Sequence, residues 1–328
     1  MTRSSAGLVV ALAFTICAPA ASAGSRGDCG KLFPDFTCER SGRFDGFEKP
    51  IVQPYLFEDP FITTGVHPYY VWHQFPESSA FEGGEAHVAS AQIRIAVTDR
   101  LAIIATKDGY MRKQPENPLL KHTKGWMNLA FGAKYAIYQD RDAGRIVSMV
   151  LRYEAPSGAS DSFQGGGDGM LMPSVSAAAL AGPIALQGDL GGIWALDDSQ
   201  SSSFTYHLYA GVPVTPALTP FVQLSGMHWT DSGDGTRQVE LSAFGQSVLG
   251  VPSLSIATVE SIYGRFEGAD VANLGAVGVD GLDYVTIGFG LHARLAEHLT
   301  VSAAYERPVT EHKGITRQRL TTSVSLEF

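Results

Sequence analysis

About twelve segments of this chain alternate apolar and polar side chains with a period of two, and every second connection between them is short. The segments lie near residues 66–74, 86–97, 100–108, 126–139, 145–154 and 171–181, then near 184–195, 204–212, 218–229, 284–295, 299–307 and 317–328. A period of two belongs to strands whose two faces meet different surroundings. The short connections are Thr98-Asp99, Asp140 to Gly144, Gly182-Pro183, Pro213 to Ala217 and Ala296 to His298. The intervening ones are mostly longer, with residues 109–125, 155–170 and 230–283 the longest. A secreted sandwich has no reason to alternate its loop lengths. A barrel that spans an outer membrane does: its turns are short on the periplasmic side and its loops long on the other. The expected fold is therefore all-β, a transmembrane antiparallel up-and-down β-barrel of about twelve strands over residues 65–328, with both ends in the periplasm.

The faces of individual strands agree with this. Leu129, Phe131, Ala133, Tyr135 and Ile137 form one face of the clearest segment, while Asn128, Ala130, Gly132, Lys134 and Ala136 form the other. Val147, Met149, Leu151 and Tyr153 alternate with Ser148, Arg152 and Glu154 in the next. In lipid, the apolar set turns outward and the polar set toward the lumen. Closure also pairs every peptide group that would otherwise stand bare in hydrocarbon, at several kcal/mol each. Only 17% of the residues are charged, below the quarter usual in soluble domains. Tyr70, Trp72, Trp126, Tyr138, Tyr153 and Trp194 recur near strand ends, where interfacial aromatic girdles sit.

Both ends of the sequence carry export signals. Arg3, the apolar run Gly7 to Ile16 and the small residues Ala21-Ser22-Ala23 read as a signal peptide over residues 1–23, with a run too short for a spanning helix. Residues 24–64, rich in Pro, Phe and Asp, are expected to form a periplasmic extension in which Cys29 and Cys38 make a local disulfide. At the other end Leu320, Thr322, Val324, Leu326 and Phe328 share one strand face. This resembles the closing strand of outer-membrane proteins, whose terminal aromatic is read by the barrel-assembly machinery. The expected location is the outer membrane, with its lipids as surroundings. A net charge of −9 argues against a nucleic-acid partner.

Several phrases, taken together, point to a known group. They are FEDPFITTGVHPYYVWHQFP, RIAVTDRLAIIATKDGY, GWMNLAFGAKYAIY, LRYEAPSG followed by FQGGGDG, and AAYERPVT. From about Phe57 to Phe328 the chain resembles a broad group of bacterial outer-membrane transporters that includes the phenol-degradation (MetA-type pathway) group. The resemblance implies passage of a small-molecule solute, often aromatic or hydrophobic, and supplies no catalytic residue.

The motifs of enzyme chemistry are weak. No G-x-S-x-G elbow occurs, and none of the nine His residues belongs to an H-E-x-x-H motif. Ser225, His228 and Asp231 form the best triad-like cluster, although a triad is a matter of geometry. Asp231 to Gly235 lacks the full calcium-loop pattern, and Gly165 to Gly169 lacks the Lys-Ser/Thr of a phosphate loop. No cofactor and no metal site is expected, nor an enzyme. The side chains expected to face inward and line the lumen are Arg94, Lys134, Arg152, Glu154, Asp189, Arg294, Glu306, Arg319 and Glu327. They serve either as a network that stiffens the barrel or as a lining that selects solutes. Residues 230–283 are expected to form an extracellular lid or inward-folded constriction, with Ser247 to Val259 its most apolar stretch. A passive channel for small molecules fits best; an outer-membrane lipid hydrolase and a plugged structural or adhesion barrel are the alternatives.

Overall fold

The computed structural model of the chain describes residues 42–268, 270–310 and 315–328. The expected signal peptide and the Cys29–Cys38 pair lie outside them. Strands β1 (Gly65–Gln74), β2 (Gly84–Ala96) and β3 (Leu101–Pro115) open the wall. β4 (Thr123–Trp126), β5 (Leu129–Asp140), β6 (Arg145–Ala155), β7 (Met170–Ala181) and β8 (Ile184–Ala195) follow. β9 (Ser202–Gly211) and β10 (Leu218–Asp231) lead into the longest loop. That loop carries β11 (Gln238–Glu240), helix α1 (Ala243–Leu249), β12 (Ser253–Ser255) and helix α2 (Ile256–Tyr263). β13 (Asp283–Ala296), β14 (Leu299–Pro308) and β15 (Gln318–Glu327) complete the wall.

Each wall strand pairs antiparallel with the next, and β15 returns to pair with β1, Val66 opposite Leu326 and Trp72 opposite Leu320. β4 and β5 both pair with β3 and share one place in the wall, so the barrel is closed with twelve strand positions. The alternation dictates this. Phe131, Tyr135, Met149, Leu151, Leu190, Leu208 and Phe289 are exposed on the outside, while Lys134, Ser148, Arg152, Gln187, Asp189, His207 and Gln223 are buried within. Polar inside and apolar outside is the inverse of a soluble core and the pattern lipid demands. The two-residue turn Gly182-Pro183 joins β7 to β8, with Gly182 at a φ of +62° that a side chain would strain.

Three local differences from the expected strands have clear causes. Asn128 breaks the segment expected to run unbroken from Trp126 to Tyr138: its side chain turns in to Glu154 Oε1 (2.8 Å), and its Oδ1 accepts from the backbone of Gly158 and Gly165. β3 runs on to Pro115, because its upper half pairs with β2 on one side and with β4 on the other. A bulge in β3, where Thr106 and Lys107 together stand against Gln92 of β2, turns both inward, as an extra residue in one strand can.

The interior is not empty. Of the periplasmic extension expected over residues 24–64, Gly42, Arg43, Asp45 and Gly46 are exposed at the short-turn end, but the stretch that follows lies elsewhere. Phe47 to Thr63 are all buried, inside the barrel. Arg43 meets the Asp142 carbonyl in a short turn, and the Thr64 carbonyl accepts from the Phe328 amide (2.9 Å). The segment thus enters and leaves at the short-turn end. Its two limbs pack through Phe44 on Phe61 (5.3 Å) and Phe47 on Phe61 (4.9 Å). A stretch holding Phe44, Phe47, Ile51, Val52, Tyr55, Phe57, Phe61 and Ile62 is too apolar to be left in water.

Candidate functional site

The site is the lumen and the two segments that fill it. The N-terminal segment offers Glu58 and Asp59 to the cations of the wall. Arg94 grips Glu58 through Nε (2.8 Å) and Nη2 (2.5 Å), and Lys134 Nζ reaches Glu58 Oε1 (2.9 Å), Asp59 Oδ1 (3.2 Å) and the Asp59 carbonyl (2.8 Å). Lys49, on the segment itself, closes the cluster on Asp59 (2.7 Å). These charges are almost wholly removed from solvent. Buried charges persist only when paired and hydrogen-bonded, and here they are.

The wall also satisfies the segment's backbone. Gln92 donates to the Pro54 carbonyl (2.6 Å), Ser148 to Pro60 (2.6 Å) and Gln187 to Glu48 (2.7 Å). Arg152 donates to the carbonyls of Tyr55 and Leu56. Gln223 both donates to and accepts from Val52, as a partner strand would. An irregular segment in a barrel needs such partners, since each bare buried peptide group costs free energy. Val52 seats against Gly288, where a Cβ would stand 2.5 Å from Val52 Cγ2; glycine there makes the room.

From the long-loop end the chain enters again. Phe266 to Ala276 are buried but for the half-buried Asn273, residue 269 aside. Asp270 pairs with Arg319 Nη2 at 2.8 Å, and Arg319 also reaches Glu306 (3.4 Å). Glu267 accepts from Ser201 Oγ and from the amides of Gly268, Leu274 and Ala276. Burial raises its carboxyl above the ordinary glutamate range, against the pull of these donors. The inward part of the loop is therefore not Ser247 to Val259. In that stretch Val248, Leu249 and Val251 are exposed, and only Ile256 and Val259 are fully buried. Helix α1 is exposed but for Gly245 and α2 leaves one side facing out, whereas the run after Phe266, with Gly268, Ala272, Gly275 and Ala276, is slim enough to enter the barrel.

Both segments pack into one place in the lumen. Tyr55 and Val271 share one apolar cluster with Tyr69, Val71, Val88, Met111 and Met127. Beside it remains a cavity of about 20 Å³, walled by Met170, Met172, Ile193, Met227, Trp229 and the Lys107–Glu154 pair among others. That is room for about one water molecule.

The residues expected to line the lumen fall as follows. Arg94, Lys134, Arg152, Glu154, Asp189, Glu306 and Arg319 are buried inside. Arg294 lies at the lower rim and pairs with Glu48 (2.6 Å), and Glu327 is half-buried at the same end. Glu306 holds Gln53 (2.8 Å) and Thr286 (2.7 Å), Glu154 holds Lys107 (2.7 Å), and Asp189 accepts from Ser174 (2.9 Å). Sequence reasoning missed the other half of the network: Glu48, Lys49, Glu58, Asp59, Lys107 and Asp270. A slight signal was present, because the inward Arg94, Lys134, Arg152, Arg294 and Arg319 outnumber by one the inward Glu154, Asp189, Glu306 and Glu327.

The triad-like cluster is not a triad. Ser225 is buried inside the barrel, while His228, three positions along the same strand, faces outward and pairs with Asp283 (2.9 Å). An odd separation on a strand puts two side chains on opposite faces. Two His–Ser contacts do form, His67 to Ser325 and His292 to Ser302 (each 2.7 Å), but both lie inside, toward the short-turn end.

Comparison with known proteins places the architecture. No protein-family model matches the chain, and no curated protein matches it. Among solved structures it is similar to the COG4313 outer membrane channel from Pseudomonas putida F1, with 14% identity and a TM-score of 0.53 over 83% of this chain and 98% of that one. The fold is that of an outer-membrane β-barrel. Weaker likenesses include the beta domain of the Bordetella autotransporter BrkA (13% identity, TM-score 0.43, 81% of this chain and 100% of that one). Another is outer membrane phospholipase A from Escherichia coli (11% identity, TM-score 0.36, 84% and 96%).

Proposed function

We propose that this protein is a gated channel of the outer membrane, in a closed state, that passes a small molecule when its lumen segments move. One observation carries the reading: the polar lumen is filled by two chain segments that do not belong to the wall. A barrel of about eight strands can fill itself with its own inward side chains, whereas twelve strand positions enclose a wider lumen. Here the wall offers charged and amide side chains to a removable occupant, and the cavities left beside Met170 and Trp229 and beside Phe163 and Val271 hold only about 20 and 30 Å³. The likeness to an outer membrane channel supports the same reading.

The solute we favour is small and aromatic or hydrophobic. Met170, Met172, Ile193, Met227 and Trp229 line the cavity beneath the loops, and methionine-rich walls adapt to varied apolar shapes. The resemblance to the phenol-degradation group points the same way. The hydrolase alternative loses its best residues, since Ser225 and His228 stand on opposite faces of β10. Exposure of Phe328 fits its proposed reading by the barrel-assembly machinery.

Single-channel recording in planar bilayers tests the proposal. The intact protein should open rarely, and removal of residues 266–276 should raise conductance while the barrel still assembles. Liposomes carrying that variant should admit phenol-sized solutes faster than the parent. A deletion variant that assembles, stays silent and admits no solute would leave a plugged structural barrel as the reading.

A further inference from the structure

On the outer face of the wall, at the long-loop end, Arg112 of β3 stands directly opposite Lys124 of β4. Both side chains are exposed. Like charges directly opposite across two strands repel and destabilise the pair. Neither cation has a carboxylate within ion-pair distance among the described residues. Glu85, the acid whose field Arg112 feels, is taken by Trp72 Nε1 (2.7 Å) and His87 Nε2 (3.1 Å). Lys121, nearby in the loop, is by contrast neutralised by Glu240 and Asp161. A pair of facing cations with no contact ion pair, on a chain of net charge −9, breaks a local rule, and breaks of this kind occur at functional sites.

The position says what relieves it. One step below the cations toward the bilayer, Tyr110 stands opposite Trp126, with ring centroids 5.5 Å apart and Trp126 68% exposed. Tyr and Trp settle at the level where hydrocarbon gives way to headgroups. The cations therefore sit at headgroup level on the side that bears the long loops, which is the outer leaflet. Next in the same row is His87, opposite Arg112 and hydrogen-bonded to the Tyr70 hydroxyl (2.6 Å). An arginine fork and a lysine point charge side by side suit a phosphate.

We infer that Arg112 and Lys124 form a binding site for the phosphate of an outer-leaflet glycolipid, with Tyr110 and Trp126 against its first acyl carbons. The site lies on the lipid-facing wall and is independent of whether the lumen conducts.

The test uses the full-length protein refolded in detergent, mixed with diphosphoryl lipid A and passed over a sizing column, with lipid retained per protein as the readout. Heat-dependent gel mobility checks that each variant is a folded barrel. Retention should weaken about tenfold for Arg112→Gln and for Lys124→Gln alone, the worth of one charged hydrogen bond, and further for the pair. Arg145→Gln, which removes an outward cation at the short-turn end, should retain lipid as the parent does. Dephosphorylated lipid A should be retained no better by the parent than by the double variant. Equal retention of the phosphorylated lipid by parent and double variant would overturn the site. Displacement of the lipid by millimolar inorganic phosphate would overturn the lipid as its ligand and leave a free-anion site.

Discussion

Glu58→Ala should release the N-terminal segment from the lumen. Glu58 is fully buried and engages Arg94 at 2.8 and 2.5 Å and Lys134 at 2.9 Å. In the variant Lys134 keeps Asp59 at 3.2 Å, but the nearest acid left to Arg94 is Asp59 at 3.9 Å. Removing one partner of a buried ion pair costs about 3–5 kcal/mol, because the other charge is left uncompensated. At 1.4 kcal/mol per tenfold, the ratio of seated to released segment should fall by roughly two to three orders of magnitude. In bilayers this should appear as more frequent openings, and in micelles as faster proteolysis within residues 42–64 while the barrel stays resistant. Arg94→Ala added to Glu58→Ala removes the orphaned cation and should recover part of the loss, a coupling expected between contacting residues. A Glu58→Ala protein with unchanged openings and an equally protected segment would show that the ion pairs do not hold the segment in place.

Three further outcomes follow from the same geometry. Phe131→Arg, on the exposed lipid face, should impair assembly by about 2–4 kcal/mol, whereas Ala130→Arg, on the buried face, should assemble and displace the lumen segments; equal assembly yields and equal conductance would contradict the assigned faces. Because burial raises the Glu267 carboxyl, the inserted loop binds its proton more tightly than the released loop, so insertion is favoured below the ordinary value near 4.3 and weakens as pH rises through the raised one. Amide protection at Leu274 and Ala276 should thus be greater at pH 5 than at pH 8, and Glu267→Gln should flatten the difference; the opposite trend would reverse the sign. Tyr55→Ala and Val271→Ala, in one cluster, should raise open probability by non-additive amounts, and strictly additive effects would show that the two lumen segments act separately.

The wall was legible in the sequence because lipid imposes a binary rule on every residue of a strand. Leu129, Phe131, Tyr135 and Lys134 each announce a side of the sheet, and the short turns fix the order. What fills the wall was not legible, because an irregular segment obeys no period. Glu58-Asp59 reads as a polar stretch until Arg94 and Lys134 are known to converge on it from strands 40 residues apart in sequence. Lys107 escaped because a bulge shifts the alternation by one, and no composition marks where a strand bulges. Ser225 and His228 show the converse: close in sequence, they are separated by the thickness of the wall.

The chemistry of the seat bears on how such a barrel would open. Apolar packing alone would hold the N-terminal segment with no preferred depth, since apolar contact is non-directional. Charged and amide partners fix it instead at particular atoms, Glu58 on Arg94 and Val52 on Gln223, so the seated segment has one register. Release then exposes the same wall groups to water, which solvates Arg94, Lys134 and Gln223 far better than it solvates an apolar lining. The groups that seat the segment would thereby lower the cost of releasing it. Because Tyr55 of the N-terminal segment rests in the cluster that holds Val271 of the loop, withdrawal of either segment removes packing from the other. A signal arriving from either side of the membrane would then reach the opposite plug through this shared cluster.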